Sequence, residues 1–125
     1  MVLGIDPAVL WNKDCAFCRH NAADNRISGQ PLEALQTVEA FAGMFEEIDG
    51  VTSREEQQLK PFDPTDGQAE ILVFDVIEPA LIRGVVFEGN SSRDEHLPIL
   101  GDRKVLVQAP KRGYFASRSY ARIRR

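Results

Sequence analysis

Two side chains near the middle of the chain are of types that work together in catalysis, the carboxamide of Gln68 and the carboxylate of Glu70. They open the most apolar run of the sequence, Gln68-Ala69-Glu70-Ile71-Leu72-Val73-Phe74-Asp75-Val76. Side chains alternate faces along a strand, so Gln68 and Glu70 are expected to project together, with Leu72, Phe74 and Val76 further along that face. Ala69, Ile71 and Val73 take the other face. Both faces are apolar beyond Glu70, which predicts a strand over 69–76 covered on both sides. The turn formers Asp63-Pro64-Thr65-Asp66-Gly67 just before it predict a sharp start. A carboxylate fixed at a strand's entrance can stabilise a cationic centre or accept a proton. Taken alone, a glutamate in that position is most often only solvated.

A second constellation is Cys15-Ala16-Phe17-Cys18 with His20 two residues on. A structural zinc takes four ligands, usually as two separated pairs, and the only other histidine is His96. A redox pair would place its first cysteine at a helix start, whereas these surroundings read as extended. The favoured reading is two small apolar residues in a reduced protein, with zinc and redox as minor alternatives and no metal expected. The segment His20-Asn21-Ala22-Ala23 reads as a solvated turn.

Gln68-Ala69-Glu70-Ile71-Leu72-Val73, followed by Ile77-Glu78-Pro79 and Ile82-Arg83-Gly84-Val85-Val86-Phe87, resembles the DarT family, NAD-dependent ADP-ribosyltransferase toxins that modify bases in single-stranded DNA. The resemblance implies that Glu70 is the catalytic glutamate, with Gln68 as a weaker companion toward NAD. It implies that loop 60–67, with Lys60, Phe62 and Asp66, approaches the target base. It also implies a macrodomain antitoxin as partner. The resemblance runs over about 2–115, with His20-Asn21-Ala22-Ala23 like the family's segment near the nucleotide pocket. Lys104-Val105-Leu106-Val107 and Gly113-Tyr114-Phe115 resemble its closing strand. It covers the C-terminal part of such a domain. The family's earlier His-containing strand and its Arg- and aromatic-rich stretch have no counterpart here. An incomplete domain is therefore expected, either a fragment or a piece completed by a partner.

These groups must be positioned by a chain of 125 residues, 43% hydrophobic and 27% charged, in the range of one soluble domain. No apolar run approaches the length of a membrane span, and Met-Val-Leu-Gly-Ile-Asp lacks a basic segment before a long apolar one, so the cytoplasm is the expected location. Strands are expected at 2–5, 15–19, 69–76, 82–88 and 104–108. Asp6-Pro7 suits a turn or a single helical turn, with Trp11 packed on the core and Phe17 anchoring the second strand. A helix is expected over about 31–47, with Leu32, Leu35, Val38, Phe41 or Ala42, and Phe45 on one face. Ser53-Arg54-Glu55-Glu56 predicts the start of a shorter helix to about Leu59. A helix interrupted by Pro98 is expected over 92–100. The irregular gaps between strands favour an α+β, ADP-ribosyltransferase-like fold with mixed or antiparallel strands and short helices over a doubly wound one.

The net charge is −4, but residues 111–125 carry six cations and no acid, which leaves −10 for the first 110 residues. The expected division is a domain over 1–115 and a basic tail over 116–125. Lys111, Arg112 and Tyr114 have the composition of a single-strand contact, cations for phosphates and an aromatic for an unpaired base. The alternative to the transferase is a non-catalytic remnant that binds nucleic acid or a protein partner through this basic end.

Overall fold

The computed structural model describes residues 1–117. Among these residues the fold is α+β, with five strands and short helices in two units. Of the described residues, one unit comprises Met1–Asn12 and 76–117, and the other is Lys13–Asp75.

The first unit is a three-stranded sheet in the order β1-β4-β5, formed by Val2–Ile5 (β1), Ile82–Phe87 (β4) and Lys104–Val107 (β5). β1 runs antiparallel to β4, and β4 runs parallel to β5. A parallel neighbour requires a crossover, and helix α5 (Asn90–Leu100) supplies it. Leu100 from that helix packs with Val85 and Phe87 of β4, and Ile82 and Val105 close the cluster. Gly101 ends the helix at φ +58°, a backbone that favours glycine. Pro98 sits inside the last turn without breaking the helix, which begins two residues before the sequence expectation.

Asp6 caps the single turn α1 (Val9–Asn12), its Oδ1 accepting from the Ala8 N–H at 2.9 Å and its Oδ2 from Arg83 at 2.7 Å. These partners hold the Asp6 carboxyl below its ordinary pKa, the Ala8 N–H contributing most. Val9 is the buried side chain of that turn, whereas Trp11 is 73% exposed. Two residues turn a helix by about 200°, so burying Val9 sends Trp11 outward, contrary to the core packing expected of it.

The second unit is built on a two-stranded antiparallel ladder, Cys15–Cys18 (β2) against Glu70–Val73 (β3). The chain between them carries three short helices, Asn25–Ser28 (α2), Leu32–Leu35 (α3) and Val38–Gly43 (α4). Ala16 and Cys18, two apart on β2, share a face and pack with Ile27 and Leu35. Phe17, on the opposite face, meets Phe41 edge to face with centroids 5.1 Å apart, and Phe41 meets Phe45 at 5.2 Å. Phe17 is thus an anchor, as its sequence position implies.

Three expectations for this unit are corrected. The helix over 31–47 is two helices, because Thr37 adopts extended backbone and its Oγ1 accepts from the Ala40 N–H at 3.0 Å, starting α4 afresh. The hydroxyl offers the backbone a local cap that competes with continuing the helix, and Val38 ends 78% exposed. The capping pair at Ser53 and Glu56 forms, with Ser53 Oγ 2.7 Å from Glu56 Oε2, but no helix follows. Gln58 has φ +54° and turns the chain away. The strand expected over 69–76 is only Glu70–Val73. Phe74 is 51% and Val76 73% exposed, so an apolar run with both faces hydrophobic is here not a strand covered on both sides.

Candidate active site

Glu70 opens β3, paired with Cys18 at the end of β2. Antiparallel pairing brings the chain leaving β2 back beside the chain entering β3, and the segment His20-Asn21-Ala22 holds that entrance at two points. Asn21 Nδ2 donates to Glu70 Oε1 at 3.3 Å, and the Ala22 N–H donates to Oε2 at 3.0 Å. His20 Nδ1 lies 2.6 Å from Asp66 Oδ2, and Asp66 Oδ1 accepts from the Gln68 N–H at 2.8 Å. Asn21 Oδ1 in turn accepts from the Ala23 N–H at 2.9 Å, an Asx turn that shapes the segment. Asp24 then caps α2, and its contact with Arg26 holds its carboxyl well below the usual range.

Glu70 is half-buried, and its partners are a neutral amide and a peptide N–H. Among the described residues no cation pairs with it. An ionised carboxylate offers about four acceptor positions, and two are used. The arrangement can present a fixed negative charge with spare acceptor capacity toward a positively charged or hydroxylated ligand. Its field reaches the register partner: burial pushes the Cys18 thiol pKa up, and Glu70 adds to the rise.

His20 is 1% exposed, so it is not the solvated turn residue that its polar neighbours imply. Its buried ring is satisfied by Asp66, 46 positions away. Only the Cys18–Glu70 register brings them together, and no local signal in the sequence marks it. Gln68 lies in a turn before the strand, closed by the Ala69 N–H to Asp66 carbonyl bond at 3.1 Å. The period-two argument therefore does not apply to it, and nothing aligns it with Glu70 as a strand pair.

A family model described as ssDNA thymidine ADP-ribosyltransferase, DarT, matches residues 1–115. The chain belongs to the DarT family. No curated protein matches it. ADP-ribosyltransferases use NAD as substrate, and single-stranded DNA is what this family acts on.

In this DarT chain the loop before Glu70 is braced from below. The Arg54 guanidinium donates to the Lys60 carbonyl at 2.8 Å, the Asp63 carbonyl at 2.8 Å and Thr65 Oγ1 at 2.9 Å. Thr65 is fully buried, its N–H bonded to the Met44 carbonyl at 2.8 Å. Lys60 and Phe62 ride on the loop's outer turn, with Lys60 Nζ 5.7 Å from the Phe62 ring centre and Phe62 71% exposed. Lys60 and Phe62 are marked by the family resemblance, whereas Arg54 is not, because its place in a capping motif hides its role.

Lys111, Arg112 and Tyr114 belong to the other unit of the DarT fold. All three are exposed and sit on a structured turn, in which the Tyr114 N–H donates to Gln108 Oε1 at 2.8 Å. Of the two pieces expected as a closing strand, Lys104–Val107 is a strand and Gly113–Phe115 is a 3-10 turn. The rest of the basic tail from residue 118 lies outside the described residues.

Cys15 and Cys18 are free and buried, and burial raises both thiol pKa values. Three residue steps along the strand separate their Cα atoms by about 10 Å and put their side chains on opposite faces, beyond the reach of a disulfide. That geometry rules against a redox pair and suits small core residues. Among the described residues, no group of three or more His, Cys, Asp or Glu could hold a metal ion. Nor is any helix among them long and apolar enough to cross a membrane.

Proposed function

We propose that this chain carries the catalytic carboxylate, Glu70, of an NAD-dependent transferase that places ADP-ribose on a thymidine base in single-stranded DNA. The reading rests on the family match and, within the structure, on one observation: Glu70 is held by two neutral donors at a strand entrance, unpaired with any cation among the described residues. NAD supplies a ribose whose C1′ bond to nicotinamide breaks, nicotinamide leaving with the bonding pair as a base nitrogen bonds to C1′. Positive charge builds on the ribose during such a cleavage, as in glycoside hydrolysis.

Glu70 faces that charge and stabilises it, and its spare acceptor positions suit a ribose hydroxyl. It also takes the proton that the base gives up. Gln68, whose side chain is exposed beside this entrance, is the proposed second contact to NAD. Lys60 and Phe62 contact the DNA, the ring stacking on an unpaired base and the ammonium lying near the phosphates. Lys111, Arg112 and Tyr114 add a further single-strand contact. A target base inside a duplex is out of reach, which fits a single-stranded substrate. The biological setting proposed is a toxin–antitoxin pair with a macrodomain protein as the reversing partner.

The test is transfer from NAD to an oligothymidylate, read by mass spectrometry of the DNA. Glu70→Ala eliminates the product while its thermal unfolding stays near that of the parent. Labelling retained by Glu70→Ala in the completed domain overturns the role of Glu70, and no labelling by the parent chain once the missing part of the domain or its completing partner is supplied overturns the transferase reading.

A further inference from the structure

We propose that Arg54 is a positioning residue for DNA, holding the Lys60–Asp63 turn in the shape that displays Phe62 as a stacking surface for an unpaired base. The inference rests on the reading that this chain acts on single-stranded DNA and assigns a role to a residue that touches neither substrate.

Each acceptor of the Arg54 guanidinium is neutral, two carbonyls and a hydroxyl belonging to one loop, at residues 60, 63 and 65. The Arg54 N–H is itself fixed by the Glu47 carboxylate, with contacts of 3.1 and 3.2 Å. A planar fork with donors in fixed directions defines geometry in a way that a single ammonium cannot. The turn it grips is closed again from within. The Asp63 N–H donates to the Lys60 carbonyl at 2.9 Å, and the Lys60 N–H donates to Asp63 Oδ2 at 2.9 Å. Pro61 occupies the position of such a turn where its fixed φ is favoured.

The product of this bracing is an aromatic ring in water, 71% exposed, with an ammonium 5.7 Å away. Asp63 and Thr65 are the loop's buried anchors, while Phe62 beside them faces solvent. A ring already in place spares a ligand the cost of ordering it. An aromatic beside a cation is the chemistry that takes a nucleobase with its phosphate.

The experiment measures binding of a dye-labelled oligothymidylate by fluorescence anisotropy for the full chain and for Arg54→Lys, Phe62→Ala and the double variant. Lysine keeps the charge and loses the fork. Phe62→Ala is expected to weaken binding about tenfold. Arg54→Lys is expected to weaken it about fivefold in the parent and not at all once Phe62 is gone, because the two act as one unit. If Arg54→Lys lowers the melting temperature with affinity unchanged, or weakens binding equally in both backgrounds, the inference is overturned. Should Arg54→Lys not fold, Pro61→Gly loosens the same turn from the other side, and binding unaffected by it overturns the inference. A parent chain that binds no single strand refutes the DNA reading itself. Tight parental binding indifferent to Phe62→Ala overturns only this inference and leaves the assignment of Glu70 standing.

Discussion

Removing the Asn21 side chain tests how the position of Glu70 is enforced. The carboxylate has two holds, Asn21 Nδ2 at 3.3 Å and the Ala22 N–H at 3.0 Å. The first is longer than the usual N–H···O distance and only partly buried, so its contribution lies toward the low end for a bond to a charged group, about 1.5 kcal/mol. Asn21→Ala also loses the exposed Asx contact to the Ala23 N–H, which adds about 0.5 kcal/mol. Folding stability is therefore expected to fall by about 2 kcal/mol, read as a shift in the urea midpoint. Transfer should fall by about tenfold and not vanish. The Ala22 N–H still holds one oxygen, and the cost is misorientation of a carboxylate that remains present. Single-turnover labelling of an oligothymidylate measures this step apart from binding. Asn21→Asp sharpens the test, since it keeps the size and sets a like charge against Glu70, and its transfer should be lower than that of Asn21→Ala. Parental transfer rates in Asn21→Ala, with the stability loss intact, would refute the reasoning that this contact orients the carboxylate. A loss as complete as in Glu70→Ala would refute it from the other side, by showing that Asn21 meets the reacting groups directly.

His20→Ala removes a fully buried ring and takes away the partner of Asp66 Oδ2, so a loss of about 3 kcal/mol is expected in urea unfolding. His20→Gln, which keeps a donor, should recover part of it. The two buried thiols predict a pH dependence. Their folded pKa values lie above the ordinary 9.0, so the folded state keeps protons that the unfolded chain gives up. The stability they contribute is complete below about pH 9 and declines as pH rises beyond it. A Cys15→Ala, Cys18→Ala variant, compared with the parent in urea titrations on either side of that pH, should lack this part of the decline.

The strands were legible where short-range pattern and burial agree. Val2–Ile5 coincides with its expected span, and the strands at Cys15, Ile82 and Lys104 each begin at the expected residue. The start of β3 was readable within one residue, because five turn formers precede it. What stayed hidden depends on partners distant in sequence or on competition between near-equal local options. Thr37 could continue a helix or cap a new one, and helical spacing around it does not reveal the choice. Ser53 and Glu56 make the contacts that start a helix, yet Arg54 between them is committed to acceptors at residues 60, 63 and 65, and the chain bends to meet those. His20 looked solvated because its neighbours are polar, and only the strand register shows that Asp66 stands opposite. Glu70 is singled out by the family resemblance, whereas the groups that steady it carry no mark in the sequence.

The double grip of residues 20–22 on residues 66 and 70 also governs where this chain can change length. Both strips are measured against each other residue by residue, so one added or deleted amino acid within 18–22 or 66–70 would move the histidine off its aspartate or the backbone donor off its glutamate. The stretch from α2 to the Arg54-braced loop answers to no such gauge at its surface turns. Related chains that differ in size should therefore gain or lose residues there, while the two short strips keep a constant count.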